Sequence, residues 1–474
     1  MHVPILTPAK TYFSKAAWAA YNTYRQGLHY RQRFAKMEAR LNGRRDAIEQ
    51  FQWERIRRLL RHAYETTPYY RNLFDSSRCS PDDIEHPADL QQIPTLEKSV
   101  LRTRLDDFIS EMFPRTKLKR NATGGSSGTP VVFYQDYSYW NQRNLSVYYF
   151  DRWAGWDFGG RQLILWGSLP DAEKARNLGD RLNNYWRNYR WLNGFNMTEE
   201  TMIAAFKKMQ RWRPQTILAY ASSLYLLAKY FQQNKLAPGW KLKGVISSAE
   251  MLYPHYREIA EEILEAKVYN RYGSREVGII AMECKSGRMH INCNDLYLEI
   301  DSDDPYTQPG EIIITQLNNY GMPFIRYRIG DIGRLSDEVC PCGNSLPILE
   351  DLMGRTTATF RTKDGRLIHG GYFTQQFYGI QTVNQFQLIQ ENYNRCTLKL
   401  VVNEGFTKDI LNWLVGKIKE ALGPEVEVVA DFVEEIPRPS SGKMAFTISK
   451  VGDQENGACS FDSTLERGPF NGTH

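Results

Sequence analysis

Between residues 162 and 270, short apolar runs alternate with amphipathic segments, and this alternation constrains the fold more than any other feature. Gln162-Leu163-Ile164-Leu165-Trp166-Gly167, Thr216-Ile217-Leu218-Ala219-Tyr220, Lys243 to Ser248 and Val268-Tyr269-Asn270 have the length and branched content of buried strands. Apolar spacing predicts helices over Thr201 to Trp212, Ser223 to Gln232 and Tyr256 to Glu265. Strands and helices in alternation specify an α/β layered core. Ligands of such sheets gather at the carboxyl ends of strands. Ser222, Ser247, Glu250 and Tyr272 are expected just past those ends.

Around this core the texture varies. Residues 11–65 read as helices, a pattern ended by Thr66-Thr67-Pro68, because proline lacks an N–H and biases its predecessor away from helix. A polar loop is expected over Asp75 to Pro87, short helices over Leu90 to Phe108, and a helix over Tyr137 to Trp153. Residues 296–334 turn β-rich, with strands expected at Leu296 to Ile300, Glu311 to Thr315 and Phe324 to Arg328. A strand at Leu398 to Val402, a helix at Thr407 to Leu422 and a strand at Val426 to Phe432 follow. The expected fold class is therefore α/β. A large N-terminal domain would hold layered α/β subdomains and a β-rich segment, followed by a small α+β C-terminal domain. The divisions expected are 1–65 (helical), 66–353 (large), 354–450 (small) and 451–474 (a disordered polar tail).

With 474 residues, 42% hydrophobic and 13% aromatic, the chain can bury more than one core and is not of disordered composition. It has no run of about 18 apolar residues, so no transmembrane helix is expected. Seven thinly spread cysteines fit a reducing, cytoplasmic setting, and no secretory signal order opens the chain. Net charge is only +6, but Arg31, Arg33, Arg40, Arg44, Arg45, Arg55, Arg57, Arg58 and Arg61 cluster. That cluster reads as a solvated helical face, or else as a contact for an anionic membrane or acidic partner. No aromatic interleaving supports nucleic-acid binding.

Several short motifs carry chemistry. Thr123, Gly124, Gly125, Ser126, Ser127, Gly128 and Thr129 supply glycine freedom and hydroxyl donors suited to a phosphate chain; a plain surface loop is the alternative. Tyr272-Gly273-Ser274-Arg275-Glu276 is expected to follow a strand, with Gly273 permitting a tight turn and Glu276 a hard oxygen ligand for Mg²⁺. Tyr327-Arg328-Ile329-Gly330-Asp331 is expected to end a strand at an aspartate able to accept from ribose hydroxyls, or merely to cap a turn. Lys443, in the loop Arg438 to Lys443, offers a point cation.

The order of these motifs, with Ser247-Ser248-Ala249-Glu250, Gly354-Arg355 and Gly442-Lys443, resembles the adenylate-forming superfamily. Within it the chain looks most like the phenylacetate–CoA ligase branch, including capsule-cluster relatives, over about residues 60–450. The resemblance implies a small domain that pivots between two half-reactions. It implies that residues 123–129 cradle the ATP phosphates. Ser248, Ala249 and Glu250 would lie near the adenine and Tyr272 would stack on it, with Asn270, Arg271, Gly273 and Ser274 alongside. Asp331 would bind ribose beside Arg355. Lys443, Glu276 and Arg275 are the implied catalytic residues, Glu276 holding Mg²⁺. Arg275 stands where the family usually has Ser or Thr, and Thr357 where it usually has Asp or Lys at the pivot.

The implied reaction joins a carboxylic acid to ATP, forming acyl-AMP and pyrophosphate, then passes the acyl group to CoA. An amine acceptor giving an amide, or a non-catalytic nucleotide-binding descendant, is the alternative. Trp166, Tyr220, Ala221, Ser222 and Ser247 are acyl-site candidates, or core packing. Cys284 and His290, with Cys340 and Cys342, would make a structural Cys₃His Zn²⁺ site, against free thiols; Cys293 is a substitute ligand.

Overall fold

The computed structural model describes residues 16, 18–23, 27, 29–77, 79–123, 131–166, 178–194, 197–355, 359–364, 367–377, 380, 382–437 and 446–451. The chain forms two compact units, one running through Leu352 and one beginning at Met353.

The first unit is organised by its largest sheet. Its strands follow a two-stranded ribbon, β1 (Lys119–Ala122) with β2 (Val132–Gln135). They are β3 (Gln162–Trp166), β4 (Tyr189–Asn193), β5 (Thr216–Tyr220), β6 (Gly244–Ser248), β7 (Val268–Ser274), β8 (Gly278–Glu283) and β9 (Met289–Ile291). After these come β10 (Leu296–Asp301), β11 (Gly310–Gln316), β12 (Tyr327–Ser336) and β13 (Ile348–Arg355). Among the described residues the order is β10-β11-β12-β13-β9-β8-β7-β6-β5-β3-β4. From β4 to β7 the pairing is parallel; from β7 to β8 it turns antiparallel.

Strands β3, β5 and β6 are buried along nearly their whole length because both of their faces are covered. Leu163, Leu165, Ile217, Ala219 and Val245 pack with Phe206, Leu227 and Leu264 of the helices Glu199–Trp212, Ala221–Gln233 and Pro254–Leu264. The opposite face gives Ile164 and Ile246 to a second core with Phe150 of the helix Tyr137–Trp153. That helix begins at Asp136, whose Oδ1 accepts from the Tyr139 N–H at 2.8 Å.

Several expectations need correction. Tyr272 and Ser247 lie inside β7 and β6, not past their ends. Phe324 to Arg326 is not strand: Arg326 has φ +50°, which breaks the extended run, and β12 starts at Tyr327. Asp75 to Ser77 belongs to the helix Pro68–Ser77 rather than to a loop. Pro68 does stop the preceding helix, Arg45–Thr66, through an extended Thr67 at φ −119°. It then opens the next helix, where a missing N–H costs nothing.

The N-terminal helices Tyr30–Leu41 and Arg45–Thr66 share the core of this unit through Phe34, Leu41, Ile56 and Leu60. Two of the clustered arginines are partly buried and bonded within this unit. Arg40 reaches Asn294 Oδ1 at 2.9 Å, and Arg55 bonds Asn318. Arg44, Arg45 and Arg61 stay exposed, paired with Asp46, Glu49 and Asp82.

In the second unit β14 (Thr359–Arg361) pairs with β15 (Leu367–His369). β16 (Val383–Asn392), β17 (Arg395–Val402), β18 (Glu427–Phe432) and β19 (Thr447–Ser449) form a sheet ordered β18-β17-β16-β19. Leu388, Leu398 and Leu400 pack on Leu414 and Ile418 of the helix Lys408–Leu422. No helix among the described residues is long and apolar enough to cross a membrane.

Candidate active site

The sheet changes from parallel to antiparallel at β7, and the motif residues collect there. Tyr272 donates its hydroxyl to Asp331 Oδ2 at 2.6 Å, joining β7 to β12. Tyr327, four residues before Asp331, donates to Glu276 Oε1 at 3.3 Å. Glu276 and Asp331 are both buried. Glu276 occupies the turn between β7 and β8, and its carbonyl accepts from Gln135 Nε2 at 3.0 Å and Gln316 Nε2 at 3.2 Å. The turn is thus pinned from β2 and β11, which fixes where the carboxylate sits.

Local backbone irregularities aim these groups. Asp331 does not end a strand. Ile313 pairs with Arg328 and Glu311 with Ile332, so β12 carries extra residues opposite β11. Gly330 lies in this bulge at φ +81°, a conformation glycine adopts without a Cβ penalty. Gly273 makes no turn either; it sits within β7, where a Cβ would meet the Gly278 carbonyl oxygen at 2.4 Å. Glycine is required there by close approach.

Around these two carboxylates the other candidates fall as follows. Thr123 closes the base of the glycine loop, its Oγ1 accepting from Val131 N at 2.9 Å. Gly124 to Pro130, Thr356 to Ala358 and Lys443 lie outside the described residues. Arg355 is the last residue of β13. Ser248 Oγ donates to the Arg271 carbonyl at 2.9 Å. The Arg271 guanidinium is committed to Asp151 Oδ1 at 3.0 Å, within the core. Burial outweighs pairing on both partners, lowering Arg271 and raising Asp151 from their ordinary values. The Asn270 N–H donates to Glu283 Oε2 at 2.7 Å, and Ser274 Oγ accepts from Val277 N at 3.3 Å. The Arg275 carbonyl accepts from Gln135 Nε2 at 3.4 Å. Ala249 holds φ +71°, a strained conformation for a residue with a Cβ. It carries the chain to Glu250, whose Oε2 accepts from the Ser222 N–H at 2.8 Å. Trp166 and Tyr220 stack at 4.1 Å between ring centroids, and Ala221 opens the next helix.

Lys98 was not foreseen. Its Nζ donates to the Ile329 carbonyl and would lie 3.1 Å from a Cβ on Gly330, so a cation flanks the Asp331 bulge. A lysine 231 positions away along the chain leaves no sequence signal for that contact. Gln135 and Gln316 were missed for the same reason.

A second cluster lies where β8, β9 and the β12–β13 loop meet. The ligand atoms of Cys284, His290, Cys340 and Cys342 are within 4.8 Å of one another. Cys284 Sγ and Cys340 Sγ are 3.6 Å apart, and Cys342 Sγ and His290 Nε2 are 3.4 Å apart. A tetrahedron with Zn–S of about 2.3 Å and Zn–N of about 2.0 Å has S–S and S–N edges of roughly 3.8 and 3.5 Å. His290 Nδ1 lies 2.9 Å from the Leu346 carbonyl, a contact that orients Nε2 to the sulfurs. Backbone N–H groups of Ser286 and Asn344 donate to Cys284 Sγ and Cys342 Sγ at 3.4 Å each, an arrangement suited to thiolates. Cys293 is not in the cluster; burial pushes its thiol up to about 12.

Residues 360–450 match the family model described as the CapK C-terminal domain. Over 419 residues the chain is 22% identical to Protein CapK of Staphylococcus aureus, covering 85% of this chain and 89% of that one. Over 406 residues it is 25% identical to a phenylacetate-coenzyme A ligase of Thermus thermophilus, covering 77% and 84%. The chain is a homologue of CapK and the phenylacetate–CoA ligases. A solved 2-hydroxyisobutyryl-CoA ligase in the postadenylation state matches with a TM-score of 0.70 at 18% identity, covering 87% of this chain and 91% of that one. The chain shares the fold of that ligase.

Proposed function

We propose that this chain activates a carboxylic acid with ATP and passes the acyl group to CoA. The observation that carries the reading is the joining of Tyr272 to Asp331 and of Tyr327 to Glu276 where the sheet turns antiparallel. In the first step a carboxylate oxygen of the acid attacks the α-phosphorus of ATP. The bond to the bridging oxygen breaks, and pyrophosphate leaves with its electron pair. In the second, the CoA thiolate attacks the acyl carbonyl and AMP departs.

Each residue has a role in this scheme. Tyr272 takes one oxygen of Asp331, and the remaining lone pairs of that carboxylate suit ribose hydroxyls. The loop 123–129 would supply N–H and hydroxyl donors to the phosphates, and Ala249 would border the base. Glu276, a buried carboxylate held by Tyr327, fits a hard-cation ligand. Mg²⁺ bound there would offset negative charge on the phosphates. Lys443 would stabilise charge developing on the α-phosphate and its bridging oxygen. The Asp151–Arg271 pair, with Ser248, positions β6 against β7 rather than touching nucleotide. Cys284, His290, Cys340 and Cys342 would hold a structural Zn²⁺ that ties the β8–β9 hairpin to the β12–β13 loop.

The test is pyrophosphate release with ATP and Mg²⁺ over aryl, fatty, amino and sugar acids, with and without CoA. Release with one acid class, and a product mass equal to the acyl-CoA thioester, supports the scheme. An amide formed with a supplied amine, and no thioester, would replace CoA as acceptor. ATP binding without release for any acid would contradict adenylation.

A further inference from the structure

Three buried polar atoms gather at the start of the helix Ala221–Gln233 without a partner among the described residues. They are Ser222 Oγ, Ser247 Oγ and Glu250 Oε1. Ser222 is 4% exposed and Ser247 is 0% exposed. Their closeness follows from the bonding. Glu250 Oε2 is held by the Ser222 N–H at 2.8 Å, so the other oxygen of the same carboxylate lies in the same turn. Ser247 is paired in register with Ala219, three residues before Ser222. Ala219 packs in the core beneath this helix, which places Ser247 on the helix side of the sheet as well.

A buried hydroxyl or carboxylate oxygen left unpaired costs about 1–3 kcal/mol. Native interiors keep few such groups, and three contributed by β6, the start of this helix and Glu250 ask for an occupant. Neighbouring groups do find partners: Ser223 Oγ donates to the Gly194 carbonyl at 2.8 Å, and Ser248 Oγ to Arg271. The chemistry of the orphans defines what would satisfy them. A carboxylate oxygen only accepts, so the occupant must bring an O–H or N–H donor; the two hydroxyls can then donate or accept. At the carboxyl ends of the flanking strands β3 and β5 stands the stacked pair Trp166–Tyr220, which offers apolar surface rather than further donors.

We infer that the acid taken by this site is a hydroxy- or amino-substituted carboxylic acid, with Ser222, Ser247 and Glu250 bonding the substituent. An unsubstituted aryl or fatty acid would leave all three groups unpaired. The inference rests on the adenylation reading for its location, but it is tested separately.

Equilibrium binding to the full chain is measured calorimetrically with matched pairs: phenylacetic and hydroxyphenylacetic acids, benzoic and aminobenzoic acids, and cyclohexanecarboxylic acid with its hydroxylated analogues. Position isomers are included, and the ring types separate aryl from saturated acids. The expected result is that one substituted acid binds about 10- to 100-fold more tightly than its parent, the equivalent of one to two unpaired groups. Ser222→Ala and Ser247→Ala, checked for unchanged melting temperature, should each erase much of that preference, read as the ratio of substituted to parent affinity. Equal or tighter binding of the parents overturns the inference. So does a preference that survives both substitutions, or no binding by any acid; the wild-type comparison stands even if a variant misfolds. A substituted acid that binds but yields no pyrophosphate would leave this inference in place and remove the adenylation reading.

Discussion

Gly330 shows how one residue decides the site. Its positive φ lets β12 bulge, and the bulge presents Asp331 to Tyr272 rather than leaving it in the regular ladder. If Asp331 holds ribose, Asp331→Ala should weaken ATP binding by about 30-fold, the loss expected for about 2 kcal/mol of charge-assisted bonding. Calorimetric titration with ATP would show it; an unchanged affinity would remove the role. Asp151 is a different kind of residue. It partners the buried guanidinium of Arg271, with side-chain exposures of 1% and 11%. Asp151→Ala leaves that cation unpaired in the core and should cost about 3–5 kcal/mol in urea unfolding. His255 carries a pH dependence. Burial lowers its pKa to about 4. In the unfolded chain a histidine takes its proton near 6.5. As pH falls from about 6.5 to 4 the unfolded state gains a proton that the folded state refuses, so stability is lost through that window and is full above it. Urea midpoints at pH 7.5 and 4.5 should differ less in His255→Gln than in the wild type.

At the scale of elements, local signals and long-range ladders diverge. The strand and helix runs of residues 162–270 were legible because apolar period, length and punctuation agreed. Trp166 and Tyr220 also meet, as strand-end positions suggested. The four zinc-type ligands converge as their spacing suggested. What could not be read was the length of β7. Asn270 and Arg271 interrupt its apolar pattern, and pairing with the antiparallel partner β8 extends the strand through Ser274. The break at Arg326 was equally hidden. Its guanidinium bonds Glu299 at 3.1 Å and the Ile93 carbonyl at 2.6 Å, contacts that hold an unfavourable backbone in place from far along the chain. The cysteine cluster gives a prediction for its own elements. Protein purified without chelator should hold about one zinc per chain, and Cys342→Ser should lose it. Chelation should lower the melting temperature of the wild type and leave that of Cys342→Ser nearly unchanged. Metal analysis that finds no zinc after zinc-supplemented expression would favour free thiols.

For the molecule as a whole, two compact units divide the motifs. Asp331, Tyr272 and Glu276 belong to the first; Arg355 belongs to the second, and the cation assigned by resemblance, Lys443, lies outside the described residues. Sequence order alone united them, because the likeness to adenylate-forming enzymes rests on the succession of motifs rather than on any one. The homology to CapK and to phenylacetate–CoA ligases runs across both units. The central claim is that these residues form acyl-AMP. Acid-dependent exchange of labelled pyrophosphate into ATP isolates that half-reaction from any acceptor. Wild-type protein should exchange label once its acid is supplied, and Lys443→Ala should do so about 10²–10³ times more slowly. Exchange that is undiminished in Lys443→Ala, or that is absent with an acid shown to bind, would contradict the account.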